Sequence, residues 1–140
     1  MNFMTLSYIA LGSNLNNPQK QLEIALNHIK EISKTIVIAE SSIHKTKPVG
    51  LEDQPDFMNQ VIAVETQLSA HALLYALQSI ENAMGRVRTA HWGPRIIDCD
   101  ILLFGDAVIN TADLIIPHPE MNNRAFVLKP LAEIFSEPRA

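Results

Sequence analysis

The sequence predicts an α+β fold of the ferredoxin-like kind: a βαββαβ core with a mostly antiparallel sheet, helices packed on one face, and a C-terminal loop and short helix. Three observations lead there. Four runs are rich in apolar or β-branched residues and end at turn signals. Two segments repeat apolar residues at helical spacing. Their order along the chain is β-α-β-β-α-β, with no repeat, linker or low-complexity tract. Residues 1–140 are therefore expected to form a single domain.

"LSYIALGSN" (Leu6 to Asn14) starts as an apolar strand and stops at a Gly-Ser-Asn turn. Asn17-Pro18 reads as an N-cap followed by proline at the first helical position. Leu22, Ala25, Leu26, Ile29 and Ile32 then share one helical face, predicting a helix over residues 18–32. "TIVIAESSI" (Thr35 to Ile43) is β-branched and predicts a strand. Thr46 to Asp56, with two prolines and a glycine, predicts a loop. Phe57 to Thr66 is the next strand. Ser69 caps a helix whose face carries Leu73, Leu77, Ile80 and Met84, and Gly85 ends it. A polar loop from Arg86 to about Arg95 leads into the last strand, and a proline-punctuated stretch ends in a short helix over Val127 to Phe135.

Composition narrows the function. The chain is 47% apolar and 19% charged, with net charge −4, and its pI is 5.7. That balance disfavours a general nucleic-acid binder, whose footprint is basic. An RNA-binding module on the same fold also needs exposed aromatics across its sheet, and this chain has few. Cys99 is the only cysteine, so an intrachain disulfide and a cysteine-rich zinc site are excluded. With no apolar run long enough for a membrane span, a soluble, cytoplasmic protein is expected.

The last strand, within "WGPRIIDCDILLFG" (Trp92 to Gly105), poses a puzzle: it holds two aspartates in an apolar run. Side chains at i and i+2 share a face, so Asp98 and Asp100 lie opposite Ile97, Cys99 and Ile101. Their Cα atoms are then roughly 6.5–7 Å apart, close enough to converge on one metal ion or bracket two. Two such carboxylates repel unless a cation neutralises them. The bland alternative is a pair of solvated acids at an exposed sheet edge. Arg86, Arg88 and Arg95 stand just upstream. Acidic residues beside arginines suit a Mg²⁺-nucleotide, with carboxylates on the metal and guanidiniums on phosphate. Another Mg²⁺-dependent phosphoryl or nucleotidyl transferase would use the same chemistry. Phe57 and Asn59, two apart on one strand face, suit a flat heterocycle that stacks on a ring and is read by a carboxamide. Phe126 is a candidate for a second ring.

In chain order, "GSNL", "KPVG…DQPDFMNQV", "GRVR…WGPRIIDCDILLFG" and "PHPEMNNRAFVLKPL" resemble the 6-hydroxymethyl-7,8-dihydropterin pyrophosphokinases of folate biosynthesis. The resemblance runs over nearly the whole chain. It implies transfer of diphosphate from ATP to the hydroxymethyl group of the dihydropterin, releasing AMP. It implies two Mg²⁺ ions on Asp98 and Asp100, and a pterin between Phe57 and Phe126. The pterin edge falls to Thr46, Val49 (through its backbone) and Asn59. Phosphate contacts fall to Arg86, Arg95, His118 and Arg124, with Gln78, Arg88, Trp92 and Ile101 at the nucleotide. Of these, Arg86, Arg95, Asp98 and Asp100 are the expected catalytic groups. Glu81 matches a family position without an assigned role and is expected on the helix surface. Cys99 stands where the family usually has an aliphatic residue, and Thr89 and Asp113 where some members carry basic ones. The expected partners are ATP and the dihydropterin, with no nucleic acid or membrane, and a monomer is the expected state.

Overall fold

The structure, a computed structural model, describes residues 3–47, 55–85 and 96–136. β1 (Thr5–Ser13) turns into α1 (Pro18–Lys30). β2 (Thr35–Glu40) and a short β3 (His44–Thr46) precede β4 (Phe57–Thr66) and α2 (Ala70–Ala83). β5 (Asp98–Phe104) is followed by a small ribbon, β6 (Ile109–Asn110) and β7 (Ile115–Ile116), and by α3 (Ala125–Ile134). The main sheet runs β2-β4-β1-β5, every pairing antiparallel, and β3 also pairs with β4. This is the ferredoxin-like order expected from the element pattern.

Alternation along the strands sorts residues between two apolar layers. Ile9, Leu11, Ile62, Val64, Cys99 and Ile101 pack against Leu22, Ala25 and Ile29 of α1 and Leu73, Leu77 and Ile80 of α2. Tyr8, Val61, Ala63 and Leu102 face the other way and meet Val127 and Leu131 of α3. The second face is thus not wholly open, as helices on one face would leave it. Val127 and Leu131 are four apart, so they form one apolar stripe that covers part of it. A register shift between Tyr8 and Ile9 lets Leu102 and Leu103 both serve this layer, after which Phe104 returns to the α1–α2 side.

Some boundaries differ from the sequence pattern. The strand expected over Thr35 to Ile43 stops at Glu40. Ser41 interrupts it: its hydroxyl, rather than a carbonyl, takes the Val61 N–H at 2.9 Å, and its carbonyl takes the Gln60 side-chain amide. The chain rejoins β4 as β3, so Thr46, expected to open a loop, ends a strand instead. Asn17 holds the N-cap position but makes no side-chain cap, because Asn16 and Asn17 both take left-handed backbone, φ 54° and 62°. Ser69 does cap α2: its Oγ accepts the Ala72 N–H at 3.1 Å. Gly85 follows α2 at φ 85°, where a side chain would be strained.

The two helix starts should therefore respond differently to mutation. Ser69→Ala is expected to cost about 0.5–2 kcal/mol, whereas Asn17→Gly should cost no more than a few tenths, about 0.5 at most. Urea denaturation midpoints at constant m-value check both.

Candidate active site

The site grows out of the register of β1 between its two neighbours. Gly12 pairs with Asn59 on one side and with Asp98 on the other, and Asn59 pairs in turn with His44. His44, Asn59, Gly12 and Asp98 thus form one row across four strands. The next row holds Val61, Ala10 and Asp100. Neighbouring strands are about 4.8 Å apart, so the Asn59 carboxamide and the Asp98 carboxylate rise from points roughly 10 Å apart. Between them stands only a glycine. A Cβ at Gly12 would lie 3.2 Å from Asn59 Oδ1. The missing side chain keeps the floor between amide and acid low.

At one end of this trough Asn59 is buried and donates from Nδ2 to Thr46 Oγ1 at 2.8 Å. Thr46 pairs across the strands with Phe57, which is half-buried on the same face as Asn59. Phe126, in the first turn of α3, is half-buried against the α3-side core, and the Arg124 guanidinium carbon lies 5.6 Å from its ring centre. Thr46, Phe57, Asn59, Phe126 and Arg124 thus gather on the α3 side of the sheet. The helix that carries Phe126 and starts just after Arg124 is tied to β3. Glu133 accepts from the Ser42 N–H and hydroxyl, both at 2.8 Å, and from the His44 imidazole.

At the other end Asp98 is half-buried and Asp100 exposed on a common face, while Ile97, Cys99 and Ile101 are buried beneath. The outer edge of β5 borders a cleft of about 250 Å³, whose lining includes Asp100, Ile101, Asp113 and His118. The backbone N–H of His118 is bonded to Leu102, and its Nδ1 accepts the Glu120 N–H at 3.1 Å. With Nδ1 accepting, Nε2 is the ring nitrogen left to donate. Asp113 is held by Thr111, Tyr75 and His71 and keeps its carboxyl below the usual range, chiefly through the Thr111 hydrogen bond. Gln78, expected at the nucleotide, is exposed on α2 and does not line this cleft.

The donor set decides which metal would suit. Among the described residues no three His, Cys, Asp or Glu side chains gather as a metal cluster. Two carboxylates alone fit Mg²⁺ carried by a nucleotide, because phosphate and water oxygens complete its shell. They do not fit a structural zinc site.

Val49, Arg86, Arg88, Trp92 and Arg95 lie outside the described residues. Two further residues matter beyond the expected set. Glu81, expected on the surface, is 5% exposed and accepts the Cys99 N–H at 2.8 Å. Its spacing of seven from Leu74 and four from Leu77 was the signal that it lies on the buried face. Asn14, read as part of a turn, is fully buried and donates to the Pro55 carbonyl at 3.0 Å, tying the end of β1 to the approach to Phe57.

A sequence profile for the 7,8-dihydro-6-hydroxymethylpterin-pyrophosphokinase (HPPK) family matches residues 8–136. The chain belongs to that family. It is 52% identical over 134 residues to a 2-amino-4-hydroxy-6-hydroxymethyldihydropteridine pyrophosphokinase of Haemophilus influenzae, covering 96% of this chain and 84% of the relative. A Pseudomonas aeruginosa protein of the same name is 46% identical over 132 residues, covering 94% and 82%. Among solved structures, a Plasmodium falciparum HPPK-DHPS triple mutant with STZ-DHP matches at a TM-score of 0.75 and 16% identity. The match covers 99% of this chain and 41% of that longer one. At that identity the likeness speaks for the HPPK fold alone. Among the described residues, no helix of this HPPK-family chain is long and apolar enough to cross a membrane.

The tie between α3 and β3 has a pH signature. Hydrogen bonds from the Ser42 N–H, the His44 ring and the Ser42 hydroxyl hold the Glu133 carboxyl at about 2, against an ordinary 4.5. Folding therefore favours the ionised form. The contribution is complete above about pH 4.5 and is lost as pH falls toward 2. Glu133→Gln should lower Tm near neutrality, and the gap to wild type should close as the pH falls through that window. Circular dichroism melts at stepped pH test this; a gap independent of pH would exclude an ionic tie.

Proposed function

We propose that this chain acts as one pyrophosphokinase domain, residues 1–140, a cytoplasmic monomer that diphosphorylates 6-hydroxymethyl-7,8-dihydropterin in folate biosynthesis. The pterin hydroxymethyl oxygen gives up its proton to water and bonds to the β-phosphorus of ATP. The bond from that phosphorus to the α–β bridging oxygen breaks, and AMP leaves. The row His44–Asn59–Gly12–Asp98 carries this reading. A carboxamide suited to a heterocycle edge and a carboxylate suited to a metal-bound phosphate face one trough, and glycine leaves the path between them clear.

The roles are those the family resemblance implies, and each suits the chemistry of its residue. Phe57 and Phe126 stack on the pterin, while Thr46, Asn59 and the Val49 backbone read its edge. Asp98 and Asp100 would hold two Mg²⁺ ions together with ATP, and that charge would offset the phosphate charge during in-line attack on the β-phosphorus. Arg86, Arg95, His118 and Arg124 supply cationic or N–H donors to phosphate oxygens. Gln78, Arg88, Trp92 and Ile101 attend the nucleotide. Positioning and charge neutralisation account for the rate without a protein nucleophile. Cys99, buried on the core face, is not placed to act as one.

The decisive assay supplies ATP, Mg²⁺ and the dihydropterin alcohol and separates the products. AMP with the pterin diphosphate supports the reading; ADP with a pterin monophosphate excludes it. Asp98→Asn and Asp100→Asn should each cut turnover by orders of magnitude while the circular dichroism spectrum stays native, since both side chains lie on the solvent side of β5. Phe57→Ala should weaken pterin binding by about 0.5–1.5 kcal/mol beyond its lost contact area, and ATP binding far less. Calorimetric titration of each ligand separates the two; equal losses would make the ring a packing residue only.

A further inference from the structure

Glu81 is the only buried carboxyl group among the described residues. It projects from α2 to the outer edge of β5 and accepts the Cys99 N–H at 2.8 Å. A buried acidic side chain needs hydrogen-bond partners. The position of the Cys99 amide suggests what this contact does. The Cys99 N–H belongs to the peptide unit joining Asp98 to Cys99, a rigid plane that includes the Asp98 Cα. Asp98 is the last paired residue of the β1–β5 ladder. The ladder holds β5 from the β1 side, and Glu81 holds it from the opposite edge. Gly85, just after α2, and Ile96, just before β5, approach each other, since a Cβ on Gly85 would lie 3.9 Å from Ile96 Cδ1.

We infer that Glu81 is a positioning residue for the metal-binding pair: by fixing the Asp98–Cys99 peptide plane from the core side, it sets the direction of the Asp98 side chain before metal and nucleotide arrive. The inference rests on the assignment of Asp98 and Asp100 as metal ligands. Groups that orient metal ligands through hydrogen bonds commonly change metal affinity or activity about 10–100-fold when removed. A purely structural role for Glu81 would lower stability and leave the metal requirement unchanged.

The test uses the single cysteine of the chain. Labelling with ¹⁵N-cysteine gives one amide signal, that of Cys99. In the metal-free wild type this signal should be shifted downfield and protected from exchange. A rapidly exchanging Cys99 amide in the folded wild type would overturn the inference without any variant. Glu81→Leu should remove the protection and weaken Mn²⁺ binding in the presence of ATP about tenfold, read by calorimetry, while pterin binding is unchanged. Glu81→Gln keeps a side-chain oxygen that can accept from Cys99 and should recover most of the Mn²⁺ affinity. A folded Glu81→Leu protein with wild-type Mn²⁺ affinity sinks the proposal. If that variant does not fold, Glu81→Gln decides: lost Cys99 protection with unaltered Mn²⁺ affinity also sinks it. Asp98→Asn separates the two levels. Unchanged Mn²⁺ affinity there means the ligand assignment itself has failed. Weakened affinity there, with no effect at Glu81, overturns the positioning role alone.

Discussion

β1 carries an antiparallel ladder on both edges, and the site depends on the register of those two ladders. Gly12 is opposed by Asn59 and Asp98, and Ala10 by Val61 and Asp100, so one strand aligns groups separated by about forty residues of chain on either side. A one-residue slip would turn every side chain of a strand to the other face. In β5 it would drive Asp98 and Asp100 toward Leu73 and Leu77 and expose Cys99 and Ile101. The burial of Ile9 and Leu11 of β1 against the helices therefore specifies where the carboxylates stand. Hydrophobic packing on one face sets polar geometry on the other.

Polar ties then stiffen this frame. Asn14 bonds the Pro55 carbonyl, Ser41 stitches β2 and β3 to β4, Thr35 meets Thr66, and Glu81 holds the edge of β5. Among the described residues, no buried side-chain nitrogen or oxygen lacks a partner. Each tie lies at or near a strand end or interruption, and those at Pro55, Val61 and Cys99 satisfy a backbone group there. A chemistry that relies on positioning rather than on a protein nucleophile benefits from such a frame, because small misplacements of reacting groups cost large factors in rate.

α3 divides the second sheet face. Val127 and Leu131 cover Tyr8, Val61, Ala63 and Leu102. The row from Asn59 to Asp98 lies beyond that cover, at the Ser13 end of β1. The first turn of the same helix brings Phe126, and Arg124 just before it, to the border of the trough, and Glu133 near its other end bonds to Ser42 and His44. One helix thus completes a core and borders a site, which explains why the C-terminal segment carries both an apolar stripe and functional side chains.

Periodicity alone determined the α+β order, the two amphipathic helices, the Ser69 cap and the sharing of a face by Asp98 and Asp100, because each depends on residues close in sequence. The pairing of aspartates with arginines and the aromatic–amide pair of Phe57 and Asn59 were also legible, as residue types suited to one chemistry. The sequence could not show that Asn59, Gly12 and Asp98 share one row, since cross-strand register is settled by the packing of distant apolar residues. Nor could it show that Ser41 breaks a strand, that Asn17 leaves its helix uncapped, or that α3 takes the opposite face. Glu81 lies between the two cases. Its spacing from Leu74 and Leu77 marks the buried face of α2, but only the tertiary structure supplies the Cys99 amide it meets, because that contact joins a helix to a strand edge further along the chain.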